Sequence, residues 1–156
     1  MGLTVERIRH GLDALAQSDP RVAQELDRVG YPEARLRDRG YKTLLRTIVG
    51  QQVSVAAASS MWNKLEAELG PDFTTSCLLS RDFDTLRACG LSRQKQGYAR
   101  SLCELVEAGA VNFDAMPEDD EEAIEQLTLI KGIGRWSAEI YLLFAEGRAD
   151  IWPAGD

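Results

Sequence analysis

The sequence predicts an all-α protein, and three observations carry that prediction. Apolar residues recur at helical spacing in nearly every segment. Ser, Gly and Pro fall where such segments would start and stop. No alternating stretch is long enough for a convincing strand. With 156 residues, 44% of them hydrophobic and 28% charged, the chain has the composition of a folded globular protein. That length fills one domain or two small helical lobes, and the expected architecture is a two-lobed helical bundle.

Taken in order, "LTVERIRHGLDALAQ" places Val5, Ile8, Leu12 and Leu15 on one helical face and stops before Pro20. "RVAQELDRVG" reads as a second helix closed by Gly30, and the loop "YPEARLRDRG" follows. "YKTLLRTIVGQQ" then gathers Leu44, Leu45, Ile48 and Val49 on an apolar face. "SVAAASSMWNKLEAELG" is a longer Ala-rich helix with Ser54 as N-cap and Gly70-Pro71 as its stop. Short helices are expected at "TTSCLLS" and "DFDTLRACG". Ser92 caps the next, which ends at Gly109, and the last two are expected over about 118–127 and 135–145. Residues 1–40 and 41–156 divide the chain into N-terminal helices and a main helical domain.

Charge is unevenly spread. The net is −7, yet residues 1–100 carry 15 Lys+Arg against 12 Asp+Glu, while residues 101–156 carry 3 against 13. Much of the acid lies in "EDDEEAIE", residues 118–125. An acidic total weakens a nucleic-acid reading without excluding it, because the remainder is mildly basic. No apolar run approaches the roughly 20 residues of a membrane span, and the charged N-terminus lacks a signal core. A cytoplasmic location with no membrane partner is the expectation, at the nucleoid if the source is bacterial. Cys77, Cys89 and Cys103 are odd in number and widely spaced, which fits free thiols. One histidine, His10, argues against a Cys/His zinc site.

The motif that asks for chemistry is "LTLIKGIGRWSAEIYLLF", residues 127–144. A bare Gly-x-Gly between helices is compatible with a plain corner, since glycine supplies left-handed backbone and close packing. Here Ile133 can tuck between the helices while Gly132 and Gly134 bare backbone N–H groups at the start of the helix near Arg135. Such groups and the helix dipole suit a phosphate oxygen, and Lys131 and Arg135 add charge. That is a way to hold a nucleic-acid backbone without reading bases.

With "LLRTIVGQQVSVAAA", "GLSRQKQGYARSL" and the closing "IWPAGD" added, residues 40–156 resemble the helix–hairpin–helix DNA glycosylase superfamily, most closely its DNA-3-methyladenine glycosylase II (alkylpurine) branch. The resemblance implies a helix–hairpin–helix at about 118–145 followed by a Gly/Pro-Asp loop. It implies an enzyme that flips an alkylated purine out of duplex DNA and cleaves its N-glycosidic bond through a cation-like sugar. Asp156 matches the family's catalytic aspartate. Trp136 stands where bifunctional relatives carry a Schiff-base lysine, so the expected cleavage is monofunctional. Trp136 either lines the base pocket, stacking on an electron-poor base, or caps the helix interface in the core. Tyr141 and Trp152 are weaker pocket candidates, each also readable as core.

By the same resemblance Gln52 is the wedge that fills the gap left by the flipped nucleotide, or else a polar helix end beside the Ser54 cap. Lys131, Gly132, Gly134 and Arg135 would hold the DNA backbone, and Arg46, Arg93 and Lys95 would reach nearby phosphates. The family's hairpin can hold Na+ or K+ through carbonyls, by position those of Thr128, Ile130 and Ile133. No cofactor is required, and no cysteine follows Cys103 to hold an iron–sulfur cluster. The expected partner is double-stranded DNA with an alkylated base. The family continues past its aspartate, so the chain reads as truncated or proteolysed at Asp156. It would be a monomer or paired with its own missing C-terminal fragment, and weak or inactive alone. Three other readings stay open: a non-catalytic DNA-binding module, a glycosylase for another damaged or mismatched base, and a helical scaffold in which the glycine turn is merely a corner.

Overall fold

The computed structural model describes residues 3–155, and every regular element among them is helical. Helices α1 (Val5–Ser18) and α2 (Pro20–Val29) form an N-terminal hairpin whose helices pack chiefly on each other. Thr4 accepts the Arg7 N–H to start α1. Asp19 ends α1 and caps α2 through the Arg21 N–H, with Pro20 preset for the first turn. Neither helix contains a fully buried residue, so their apolar faces are only half covered.

Residues 31–39 then cross without regular structure onto the main lobe, and four contacts pin their end. The Arg37 N–H donates to the Phe144 carbonyl at 2.9 Å, and Arg39 pairs with Glu146 at 2.8 Å. The Gly40 N–H donates to Tyr141 Oη at 2.9 Å, and the Thr43 hydroxyl donates to the Asp38 carbonyl at 2.6 Å.

In the main lobe α3 (Tyr41–Gly50) buries Leu44, Leu45, Ile48 and Val49, the face expected from its spacing. It packs on α4 (Val55–Leu69) and α7 (Arg93–Glu107), while α5 (Thr75–Leu79) and α6 (Phe83–Ala88) lie against α7. Ser54 and Ser92 cap α4 and α7 as expected, each accepting an N–H three residues on. The core runs continuously from Leu44 through Leu65, Leu86 and Leu102 to Leu127 and Leu142.

The C-terminal pair starts later and ends differently than expected. Asp119 is the N-cap of α8 (Asp120–Thr128), so the helix begins two residues after 118. The last helix does not run unbroken to 145: α9 (Arg135–Tyr141) gives way to a π-helical turn, Leu142–Glu146, closed by left-handed Gly147. One local and one long-range contact hold the wide turn. Tyr141 Oη donates to Glu146 Oε1 at 3.2 Å, and the Glu146 side chain, only 7% exposed, also pairs with Arg39. A buried carboxylate needs such partners, and the widened turn brings it to them.

Candidate nucleic-acid interface and base cleft

The connection between α8 and α9 is built on two apolar pegs. Ile130 and Ile133 are buried, and the Ile133 N–H closes a turn on the Ile130 carbonyl at 3.0 Å. Its outer residues are tied to other helices. The Lys131 N–H donates to Ser101 Oγ of α7 at 3.1 Å, and the Gln51 amide donates to the Gly132 carbonyl at 2.7 Å. Gly132 is left-handed at φ +83°, and a Cβ there would stand 2.2 Å from the Tyr98 ring. Gly134 differs: its φ is −91°, and a Cβ would meet nothing within 4 Å. Gly134 is the N-cap of α9 and no side chain caps that helix, so the first-turn N–H groups have no side-chain acceptor. Lys131 is exposed and has no carboxylate partner among the described residues.

Arg135 is not available as a free phosphate-binding cation. Its Nη1 donates to Glu121 Oε2 at 2.8 Å, and its Nε to Glu139 Oε1 at 2.9 Å. The Glu121 contact holds the guanidinium well above its ordinary pKa and the Glu121 carboxyl below its own. Arg135 thus clamps α8 to α9. The acidic run, read from sequence only as excess charge, supplies that clamp. Three other expected phosphate contacts are also engaged. Arg46 lies 4.5 Å from the Trp62 ring centroid and 3.9 Å from Glu66, Arg93 lies 4.7 Å from the Phe83 ring, and Lys95 donates to the Val49 carbonyl at 2.6 Å. Lys95 caps the end of α3, and its partial burial depresses its pKa.

Beside the hairpin opens a cleft of about 680 Å³ walled by three segments. Leu36, Arg37 and Asp38 come from the pinned segment; Thr43, Arg46, Thr47 and Gly50 from α3, with Gln51 at its C-cap; Trp136, Ser137 and Ile140 from α9. Trp136 is 41% exposed and takes the lining position rather than the core one. Tyr141 is corrected to the core: it is 2% exposed, packs edge-on against Phe113 with centroids 5.4 Å apart, and holds the Gly40 N–H. Helical spacing explains the difference. Ile140, four residues after Trp136, shares its face, whereas five residues on the face has turned away. The same spacing marks Thr43, Thr47 and Gly50 as the polar face of α3, a signal present in the sequence. Nothing local announces Asp38.

The remaining candidates fall outside the cleft. Gln52 is exposed and holds a left-handed φ of +56° at the corner after α3, next to Gln51. Trp152 is 85% exposed and does not line the cleft, so it is neither pocket nor core. Of the three carbonyls proposed for a monovalent cation, that of Ile130 already accepts the Ile133 N–H and keeps one lone pair; Thr128 is exposed and Ile133 buried. Asp156 lies outside the described residues.

Comparison with known proteins agrees with this architecture. Residues 45–156 match the family described as HhH-GPD superfamily base excision DNA repair protein. The chain is 36% identical over 120 residues to DNA-3-methyladenine glycosylase 1 of Schizosaccharomyces pombe, a match over 74% of this chain and 53% of that protein. Among solved structures, DNA-3-methyladenine glycosidase from Bacillus halodurans superposes with a TM-score of 0.80 at 33% identity, covering 90% of this chain and 66% of that one. The Schizosaccharomyces pombe 3-methyladenine DNA glycosylase in complex with abasic DNA gives 0.74 at 33% identity, covering 88% and 70%. The chain spans about half the length of the curated relatives it matches. A family match across more than half of the chain, joined to the fold shared with the Bacillus halodurans glycosidase, settles the relationship: the chain belongs to the HhH-GPD superfamily of base excision DNA repair proteins.

Proposed function

We propose that the protein is a monofunctional DNA glycosylase that excises alkylated purines of the 3-methyladenine type from double-stranded DNA. The observation that carries this reading is the Trp136-lined cleft beside an uncapped, glycine-edged hairpin. A grip for the sugar-phosphate backbone thus lies next to a hollow large enough for one extruded base. The relatives named 3-methyladenine glycosylases, one of them in complex with abasic DNA, support the substrate and the product.

In this reading the N–H groups around Gly132 and Gly134, with Lys131, hold the strand without reading it. Na+ or K+ on the carbonyls of Thr128, Ile130 and Ile133 would add to that grip. Gln52 enters the stack, its left-handed corner steadied by the Gln51 bond to the hairpin. The extruded base lies in the cleft on the face of Trp136. The C1′–N bond breaks, its electron pair leaves with the base, and water adds at C1′. The Asp156 carboxylate stabilises the sugar cation or takes the proton from that water. With tryptophan at position 136 no amine stands there to form a Schiff base, so the product is an abasic site in an unbroken strand. The setting in a cell is cytoplasmic, with duplex DNA as partner.

The test is release of 3-methyladenine and 7-methylguanine from methylated duplex DNA by the full-length protein. Asp156→Asn should abolish release and leave abasic-duplex binding within about twofold. Release undiminished by that substitution overturns the catalytic assignment, and DNA binding without release by the unsubstituted protein favours a binding module instead.

A further inference from the structure

Asp38 is the one acidic residue among the described residues that line the cleft. It is exposed and makes no ion pair with any described residue. Its position is nonetheless fixed. On one side the Arg37 N–H is held by the Phe144 carbonyl at 2.9 Å; on the other Arg39 is paired with Glu146 at 2.8 Å. Its own carbonyl accepts the Thr43 hydroxyl at 2.6 Å. Three bonds to two separate elements therefore fix the backbone on both sides of an aspartate that lines the same hollow as Trp136. Ordering it around a guest costs little conformational entropy, because the backbone is already set.

The two cations of the cleft do not cancel this charge in the same way. Arg46 is turned to Trp62 and Glu66. Arg37 has no carboxylate partner among the described residues and suits a phosphate of the entering strand. When a base fills the hollow and displaces water, an unpaired carboxylate loses hydration that only a cation or a strong donor replaces. Purines alkylated at N3 or N7 carry positive charge on the ring; hypoxanthine and ethenoadenine are neutral. A π face and a carboxylate around one hollow both reward the charged ring.

We infer that Asp38 is a specificity residue of this cleft, selecting positively charged alkylpurines over neutral damaged bases by direct electrostatic contact with the extruded base. The inference rests on the glycosylase reading and deepens it. It concerns which base is held, and assigns Asp38 no part in bond cleavage.

The experiment measures binding, so it is independent of Asp156. Affinities of the wild-type chain and of Asp38→Asn are compared by fluorescence anisotropy on four duplexes, containing 7-methylguanine, hypoxanthine, an abasic-site analogue or no lesion. The wild type should prefer 7-methylguanine to hypoxanthine about tenfold, and Asp38→Asn should bring that ratio to within about twofold. Abasic binding should not change, since no base is there to be read. Asp38→Glu should keep part of the preference. Because the carboxylate has no ion-pair partner among the described residues, thermal unfolding of Asp38→Asn should match the wild type. An unchanged lesion ratio in Asp38→Asn, with wild-type preference intact, overturns the role of Asp38 alone. A wild type that prefers neither lesion nor abasic duplex over undamaged DNA overturns the glycosylase reading, and this inference with it.

Discussion

Gly132 and Gly134 stand two residues apart and answer to different constraints. Gly132 is left-handed and its absent Cβ is occupied by the Tyr98 ring. Gly132→Ala should destabilise the fold by about 2–4 kcal/mol in urea unfolding, combining backbone strain with displacement of a packed ring. Gly134 has an ordinary φ and open space where a Cβ would go. Gly134→Ala should therefore change stability by less than about 0.5 kcal/mol, yet weaken duplex binding severalfold, because the methyl meets only an approaching phosphate. Equal losses of stability in the two variants would remove the distinction. The aromatic candidates divide on the same physical ground: Trp136 and Ile140 share a helical face toward the cleft, while Tyr141 turns inward to hold Gly40.

At the scale of elements, the hairpin is a junction of three helices rather than a free loop. Gln51 at the end of α3, Ser101 on α7 and the Arg135 clamp to α8 each fasten one part of it. Gln51→Ala removes a single exposed hydrogen bond, worth about 1 kcal/mol. It should nonetheless loosen the corner that carries Gln52, lowering the base-extrusion signal of a 2-aminopurine duplex more than it lowers overall binding. Glu121→Gln should act in the opposite sense. Releasing one side of an exposed ion pair costs less than about 1 kcal/mol of stability, and Arg135, held then by Glu139 alone, should raise DNA affinity about threefold at low salt. Anisotropy titrations at two salt concentrations check this; unchanged affinity would mean that Arg135 never faces the DNA.

For the whole molecule, electrostatics argue against long-range attraction. A net charge of −7 and a hairpin bordered by acidic residues leave few cations for the backbone. With Lys131 and Arg37 as the cations near hairpin and cleft that have no carboxylate partner among the described residues, the slope of log affinity against log salt should be about −2. A slope beyond −5 would require a DNA footprint much broader than this face. The Arg39–Glu146 pair links the pinned segment to the π-helical turn that follows α9.

Helix number, the caps at Ser54 and Ser92 and the buried face of α3 were legible in the sequence, because each is set by residues within one or two turns. Ser54, Ser92 and Gly70 act on their own helices, and the Leu44–Val49 pattern reports burial wherever the helix packs. The family followed from the same source, since the hairpin and its flanks are contiguous in sequence. Contacts between distant residues were not legible. Arg135 reads as a free cation until Glu121 is folded against it, and Lys95 reads as a phosphate ligand until Val49 presents a carbonyl. Asp38 gains meaning only when Phe144, Glu146 and Thr43 hold its segment beside Trp136. The sequence by itself determined the helices and the hairpin, which local backbone chemistry specifies. Only the tertiary structure decided which charges remain free and which side chains share the cleft, because both depend on partners that chain folding brings from far away.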